Sequence, residues 1–291
     1  MAMPDFTYVR PGSLSDACAL ASSLGADAAF IAGGTELIPD FQRERETARQ
    51  LIALDHLPEL RGIAEDGGGL CIGGLTTVSA VASSPLVRAR SVALADAARA
   101  IGSAQIRSLA TIGGNFCRAV PCADTPPAAI ASGARVRLIG VHGTREMPAE
   151  EFFLGPRRTV LTSGEVLVAI LLPAQPAGSG TSYQRFSRRK GASLAVAAVA
   201  ARITVAKGRM QGARIVLGAV SPVPLMISAA AAMLEGERPS AALFAKAAAQ
   251  CAVEALPITD VRGTADFRRE LVSVLAQRAF EQAVERAEGR S

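Results

Sequence analysis

Phe30-Ile31-Ala32-Gly33-Gly34-Thr35-Glu36-Leu37 decides how this chain is read. An apolar run meets a Gly-Gly pair and a hydroxyl residue with nothing between them. Lacking Cβ atoms, Gly33 and Gly34 let a backbone approach a diphosphate closely and turn its N–H groups inward. Thr35 adds a hydroxyl where a helix would start, and the helix dipole with its free amides favours phosphate there. The alternative is an ordinary strand-to-helix turn that needs glycine for itself. The turn carries neither Gly-x-Gly-x-x-Gly nor Gly-x-x-x-x-Gly-Lys, which disfavours a nicotinamide Rossmann site and a P-loop.

A second segment, Thr111-Ile112-Gly113-Gly114-Asn115, repeats the arrangement and is followed by Ala123-Asp124-Thr125-Pro126-Pro127. Asn115 can hydrogen-bond a phosphate or fix its own loop. Asp124 suits a ribose or ribityl hydroxyl, since a carboxylate accepts without requiring a charged partner. Its plainer role is to cap the helix that Thr125-Pro126-Pro127 would open. Two such turns, with an acid just beyond the second, point to one large phosphorylated cofactor held from two sides.

The flanking pattern predicts a βαβ unit at the N-terminus. Thr7-Tyr8-Val9 suits a strand, and Ser13 with Asp16 makes a weak capping box for a helix that Gly25 would stop. Ala28 to Ala32 reads as a strand, Glu36 to Arg49 as a second helix and Gln50 to Leu54 as the next strand. Cys18 falls on the apolar face of the first helix, a core position. Ile63-Ala64 and Leu70-Cys71-Ile72 flank a glycine turn as a hairpin. Helices are predicted from Thr76 to Ala82, Ser91 to Ile101 and Asp124 to Ser132, and strands over Val136–Ile139 and 164–172. The Ala, Gln, Pro, Gly and Ser stretch from Pro173 to Thr181 is the best domain boundary. Strand-like runs follow at 194–205 and 213–220, then helical patterns at 225–235, 240–253 and 266–286.

Composition narrows the function. Nearly half of the 291 residues are hydrophobic, enough for a substantial core and two domains. No apolar run is long enough to span a membrane. The start has no basic and then apolar leader pattern, so the expected location is cytoplasmic. The net charge of +5 comes from scattered arginines that alternate with acids, and with no tryptophan and two tyrosines, nucleic-acid binding is disfavoured. Five irregularly spaced cysteines argue against a disulfide framework, and two histidines cannot build a His-rich metal site.

Taken together, Ala32-Gly33-Gly34-Thr35-Glu36-Leu37 and Thr111-Ile112-Gly113-Gly114-Asn115 with Ala123-Asp124 resemble the FAD-binding medium subunits of molybdenum hydroxylases, the family of xanthine, carbon monoxide and nicotinate dehydrogenases. The likeness continues through Arg185-Phe186-Ser187-Arg188-Arg189, Leu217-Gly218-Ala219-Val220-Ser221-Pro222-Val223-Pro224, and Ile258-Thr259-Asp260-Val261-Arg262-Gly263-Thr264-Ala265. It implies an α+β fold: a two-lobed FAD-binding domain of the vanillyl-alcohol oxidase-like type over 1–175, with lobes about 1–57 and 58–175. A small α+β domain over 180–288 would follow, a three-stranded sheet with packed helices. Phe30, Ile31, Ala32, Gly33, Gly34, Thr35, Glu36 and Leu37 would wrap the FAD diphosphate, and Thr111, Ile112, Gly113, Gly114 and Asn115 would close over it. Asp124 would hold a sugar or ribityl hydroxyl. Ile101 and Leu167 match positions that pack on the flavin or adenine side, and Arg185 falls where relatives often carry a lysine near the flavin.

The resemblance further implies partners: a large molybdopterin subunit that hydroxylates substrate and a small subunit with two [2Fe–2S] clusters, in a dimer of heterotrimers. Electrons would reach FAD here and leave for an external acceptor. Cys117 and Cys122 are two thiols against the four that a cluster normally requires, and read as small residues lining the flavin loop. No acid–base residue and no metal ligand is assigned. Two other readings stand beside this one, a stand-alone flavin oxidase of a small alcohol and a non-catalytic flavin-binding assembly factor.

Overall fold

The computed structural model describes residues 5–189 and 191–290. Met1–Pro4, part of the start read for a leader, and Lys190 lie outside the described residues.

Strands β1 (Thr7–Val9), β2 (Ala28–Ile31) and β3 (Gln50–Ala53) form a parallel sheet in the order β1-β3-β2. Helix α1 (Leu14–Leu24) joins the first two strands, with the Ser13 hydroxyl accepting from Asp16 N–H and Gly25 as its C-cap. Its buried Ala17, Cys18 and Ala21 are on the predicted face. The second helix, α2, is far shorter than expected, Leu37–Gln42. Beyond it Arg43-Glu44-Arg45-Glu46 offers no apolar residue to bury, so packing gives the helix nothing to extend along. Glu44 turns the chain at a positive φ of 56°. Phe41 then closes a small core with Ala48 and Leu51.

The next part is a five-stranded antiparallel sheet carrying a cluster of short helices. In chain order it contains β4 (Ile63–Asp66), β5 (Gly69–Gly73), α3 (Val78–Ser83), α4 (Pro85–Arg90), α5 (Val92–Ala100), α6 (Ala104–Leu109), α7 (Ile112–Cys117) and α8 (Thr125–Ala131). Then come β6 (Arg135–Gly140), β7 (Gly143–Pro148), the small β8 (Phe153–Gly155) and β9 (Arg158–Thr159) pair, and β10 (Val166–Leu172). The sheet order is β4-β5-β10-β6-β7. Serine or threonine caps start α3, α4, α5, α6 and α7. α3 begins two residues later than the expected start at Thr76, with Thr77 as its cap. β7 is an exposed edge strand without apolar alternation, so the sequence carried no signal for it.

Strand β10 is buried on both faces. A bulge between Leu167 and Ala169 shifts its alternation. Val166, Val168 and Ala169 face the first lobe's α1 and β3, whereas Leu167, Ile170 and Leu172 face the helical cluster.

The C-terminal part is a four-stranded sheet, β11 (Ser179–Ser187), β12 (Ala195–Ala206), β13 (Arg209–Gly218) and β14 (Leu225–Met226), in that order. The expected three strands thus gain a two-residue edge. Helices α9 (Ser228–Leu234), α10 (Ala241–Glu254) and α11 (Ala265–Ala287) cover one face. On β12, Ala197, Val199 and Ala201 belong to that core, while Ala198 and Ala200 join the core of the second lobe. A strand buried on both faces reads as an unbroken apolar run, as 195–201 does. The shared core fixes the C-terminal sheet against α5 and α8.

Candidate functional site

The two glycine segments meet across one cleft between the lobes. Its inner section, about 260 Å³, is lined by Phe30, Ala32 to Leu37, Ile101, Thr111, Gly114 and Asn115 of the expected set. It adjoins a second section of about 260 Å³ where Ile101, Ile106, Val120 and Leu194 supply apolar walls and Asp124 is among the lining residues.

The first segment is rich in unused donors. The amides of Gly33, Gly34, Thr35, Glu36 and Leu37 donate to no protein acceptor among the described residues. Their run begins where β2 ends and closes into α2 with Ile38 N–H bonding to Gly34 O at 3.0 Å. Successive free amides in a turn form an anion-binding concavity. The second segment behaves differently, and corrects the reading of it as a glycine turn. It is the first part of helix α7, and its amides are taken. Ile112 N–H bonds to Thr76 O, Gly113 N–H to Gly74 O at 2.8 Å, and Gly114 N–H to the capping Thr111 Oγ1 at 3.1 Å. What it offers the cleft is Asn115. Asn115 Oδ1 accepts from Thr125 Oγ1 at 2.6 Å, an arrangement that leaves the Nδ2 donor free of protein partners among the described residues.

The protein's own packing already requires glycine at Gly33 and Gly113. A Cβ on Gly33 would sit 1.9 Å from Leu109 O, and one on Gly113 would sit 2.6 Å from Gly74 O. Gly34 has φ +67°, and its Cβ would press toward Ile38 at 3.3 Å, into the first lobe rather than the cleft. Backbone contact at Gly33 is what brings the first segment against the loop after α6.

Several expected residues lie away from the cleft lining. Ile31 packs in the small core beneath α2, Ile112 and Gly113 are buried in the first turn of α7, and Leu167 is 5% exposed in the core of β10. Asp124 and Arg185 come together instead of contacting the cleft separately. Arg185 Nη1 donates to both Asp124 oxygens at 2.9 Å, Tyr183 Oη donates to Asp124 Oδ1 at 2.6 Å, and Arg185 also bonds to Ala100 O and Ser193 O. Asp124 makes no side-chain cap bond to α8, so the capping role falls away. Burial pushes the Asp124 carboxyl up, against the pull of Arg185 and Tyr183, and burial beside Asp124 pushes the Tyr183 hydroxyl well up. The cluster ties β11 to the start of α8 and to the end of α5.

Cys117 and Cys122 line the cleft, as read from the sequence. Burial pushes the Cys117 thiol up to about 12 and raises that of Cys122, whose rise Arg262 opposes. Both therefore stay protonated at neutral pH. No group of three or more His, Cys, Asp or Glu side chains suited to a metal exists among the described residues.

Sequence reasoning missed Ile106, Val120, Leu194 and Arg118 on the cleft walls. The apolar three sit in loops or a short helix and carry no motif. Arg118 comes soon after the second glycine segment, and its place in the cleft depends on the turn of α7.

Comparison with known proteins decides the family. Residues 4–175 match the family described as the FAD binding domain in molybdopterin dehydrogenase, and residues 181–283 match the CO dehydrogenase flavoprotein C-terminal domain. The chain belongs to the FAD-binding medium subunits of the molybdenum hydroxylases. It is 36% identical over 288 residues to the carbon monoxide dehydrogenase medium chain of Hydrogenophaga pseudoflava, covering 97% of this chain and 98% of that one. It is 30% identical over 284 residues to the nicotine 6-hydroxylase medium subunit of Paenarthrobacter nicotinovorans, covering 97% and 99%. The structure superposes with a TM-score of 0.95, at 36% identity and 98% and 99% coverage, on a chain of carbon monoxide dehydrogenase from Hydrogenophaga pseudoflava lacking the Mo-pyranopterin moiety of its molybdenum cofactor. Family members of similar likeness thus serve enzymes with different named substrates. No helix among the described residues is long and apolar enough to cross a membrane.

Proposed function

We propose that this chain holds one FAD in the inter-lobe cleft and relays electrons from [2Fe–2S] clusters of a small partner subunit to an external acceptor. A large molybdopterin subunit would carry out the hydroxylation, in a dimer of heterotrimers. The observation that carries the cofactor reading is the unbroken run of free amides from Gly33 to Leu37. Such a run suits a diphosphate, and the adjoining apolar walls suit a ring system. A bound flavin supplies two-electron chemistry linked to one-electron carriers.

Each residue then has a task. The amides of Gly33 to Leu37 and Asn115 Nδ2 hold the diphosphate, and the Thr35 hydroxyl, bonded to no described residue, adds a donor. Phe30, Ala32, Thr111 and Gly114 shape the wall around it. Ile101, Ile106, Val120 and Leu194 exclude water from the ring. Asp124, held in place by Arg185 and Tyr183, presents its remaining acceptor capacity to a ribityl hydroxyl. Ile31, Ile112, Gly113 and Leu167 support the site from behind.

Family membership favours a subunit over a stand-alone oxidase, which would need a substrate-polarising group of its own at the ring. The test is purification with and without partners. The isolated chain should release one non-covalent FAD on denaturation and show no turnover of purines, aldehydes, N-heterocycles or carbon monoxide. In the assembled complex substrate should reduce its flavin and acceptor should reoxidise it. A folded chain that takes up no FAD on reconstitution, or substrate turnover by the chain alone, would refute the proposal.

A further inference from the structure

Arg118 is the only cationic side chain on the walls of the cleft's two sections among the described residues. It follows Cys117 at the end of α7, where its N–H bonds to Gly114 O at 3.0 Å, and its side chain crosses toward the first lobe. There it pairs with Asp40, and its Nε lies 3.8 Å from Glu36 Oε2. Asp40 is 3% exposed at its side chain and already accepts from Arg157 Nη1 at 3.0 Å. One buried carboxylate thus serves two guanidiniums. Glu36 is a weak counter-charge, because its side chain is 59% exposed and screened by water. Nη2 of Arg118 is the atom that meets Asp40, whereas its Nε is buried without a hydrogen-bond acceptor. Arg118 is thus a guanidinium held beside the amide run, in a cleft whose other donors are neutral dipoles.

We infer that Arg118 is the charge partner of the dinucleotide's diphosphate, and that it selects phosphorylated flavin over the bare ring. The inference rests on the FAD reading above. Free amides satisfy phosphate oxygens but carry no net charge, and a diphosphate brings two negative charges into a partly enclosed cleft. A guanidinium forms short, charge-assisted bonds to phosphate in addition to the Coulombic gain. Because Arg118 also reaches Asp40 on α2, the same side chain joins the two lobes on either side of the diphosphate. Arg157 shares Asp40 but does not line the cleft, so it serves as an internal control.

The experiment uses the full chain stripped of flavin. Binding of FAD and of riboflavin, which lacks phosphate, is measured by fluorescence quenching for the parent, Arg118→Gln, Arg118→Lys and Arg157→Gln at low and high salt. Arg118→Gln should weaken FAD about 10–100-fold and change riboflavin by less than about twofold, as expected when one charge-assisted bond is lost. Arg118→Lys should fall between parent and Arg118→Gln, and Arg157→Gln should bind FAD within about threefold of the parent, since it loses no contact to phosphate. Parent FAD affinity should also fall with salt while that of riboflavin does not. Equal FAD affinity in parent and Arg118→Gln, or equal losses for FAD and riboflavin, would overturn the inference while leaving the cofactor reading intact. If Arg118→Gln does not fold, Arg118→Lys and the parent's salt dependence decide by the same criteria. A folded parent that binds neither ligand would overturn both.

Discussion

Replacing Asp124 by asparagine removes one charge from the buried cluster behind the cleft and leaves its shape. The Asp124 and Arg185 side chains are 7% and 14% exposed, with Arg185 Nη1 2.9 Å from both carboxylate oxygens. Removing one member of a buried pair costs about 3–5 kcal/mol, mostly because the other charge is left uncompensated. Here Arg185 keeps its bonds to Ala100 O and Ser193 O, and the side-chain amide oxygen introduced by Asp124→Asn can still accept from Tyr183. The loss should therefore fall at or below the lower end, about 2–3 kcal/mol. Arg185→Gln should cost a similar amount. The double variant leaves no unpaired charge, so its cost should be less than the sum of the singles by about 1–3 kcal/mol. Urea unfolding of the flavin-free full chain, followed by far-ultraviolet circular dichroism and by tyrosine fluorescence, gives each cost if the two probes coincide. Strict additivity, or an Asp124→Asn cost below about 0.5 kcal/mol, would show that this pair does not hold β11 to α8 through its charges.

Gly34→Val forces a β-branched residue to φ +67° and crowds Ile38, so it should destabilise the first lobe by at least about 1–3 kcal/mol, with FAD retention falling in step with the loss of fold. FAD lost from a variant as stable as the parent would show that the cleft itself needs that glycine. Arg268 is 1% exposed in α11 and bonds to Asp260, Val196 O and Ala219 O, so Arg268→Ala should cost about 3–5 kcal/mol in chemical unfolding. Arg145 holds the Glu165 carboxyl well below its ordinary value, at about 2. Because the folded pKa is depressed, Glu165 stabilises the protein above about pH 4.5, and that contribution fades as pH falls toward about 2. Glu165→Gln should lower stability at neutral pH and flatten the profile in that window, as read by thermal melts. The Cys117→Ser, Cys122→Ser double variant should keep full flavin content and carry no less iron than the parent; iron present in the parent and lost in the variant would reverse the reading of that loop.

The sequence carried the family, the cofactor and the two-lobed fold through its resemblance to known medium subunits, and most regular elements through local signals. Ser13 caps α1, the apolar face through Ala17, Cys18 and Ala21 turns inward, and the run from Ala195 to Ala201 shows a strand buried on both sides. Each of these depends on residues a few positions apart. The first glycine segment, read as one side of a cofactor site, does line the cleft.

Tertiary structure decided why Gly33 and Gly113 must be glycine, and which residues face the cleft. Gly33 answers to Leu109 O and Gly113 to Gly74 O, contacts between segments distant in sequence that no local pattern records. The second segment became a helix because Thr111 caps it and Thr76 O and Gly74 O take its amides. Leu167 lies in the core because both faces of β10 are covered, one by the first lobe and one by the helical cluster. Arg185 and Asp124 satisfied each other only once β11 was laid against α8, and Arg118 entered the cleft only once the lobes met. Charge pairing and close backbone approach act through space at a few ångströms, so they become definite only when the chain has folded.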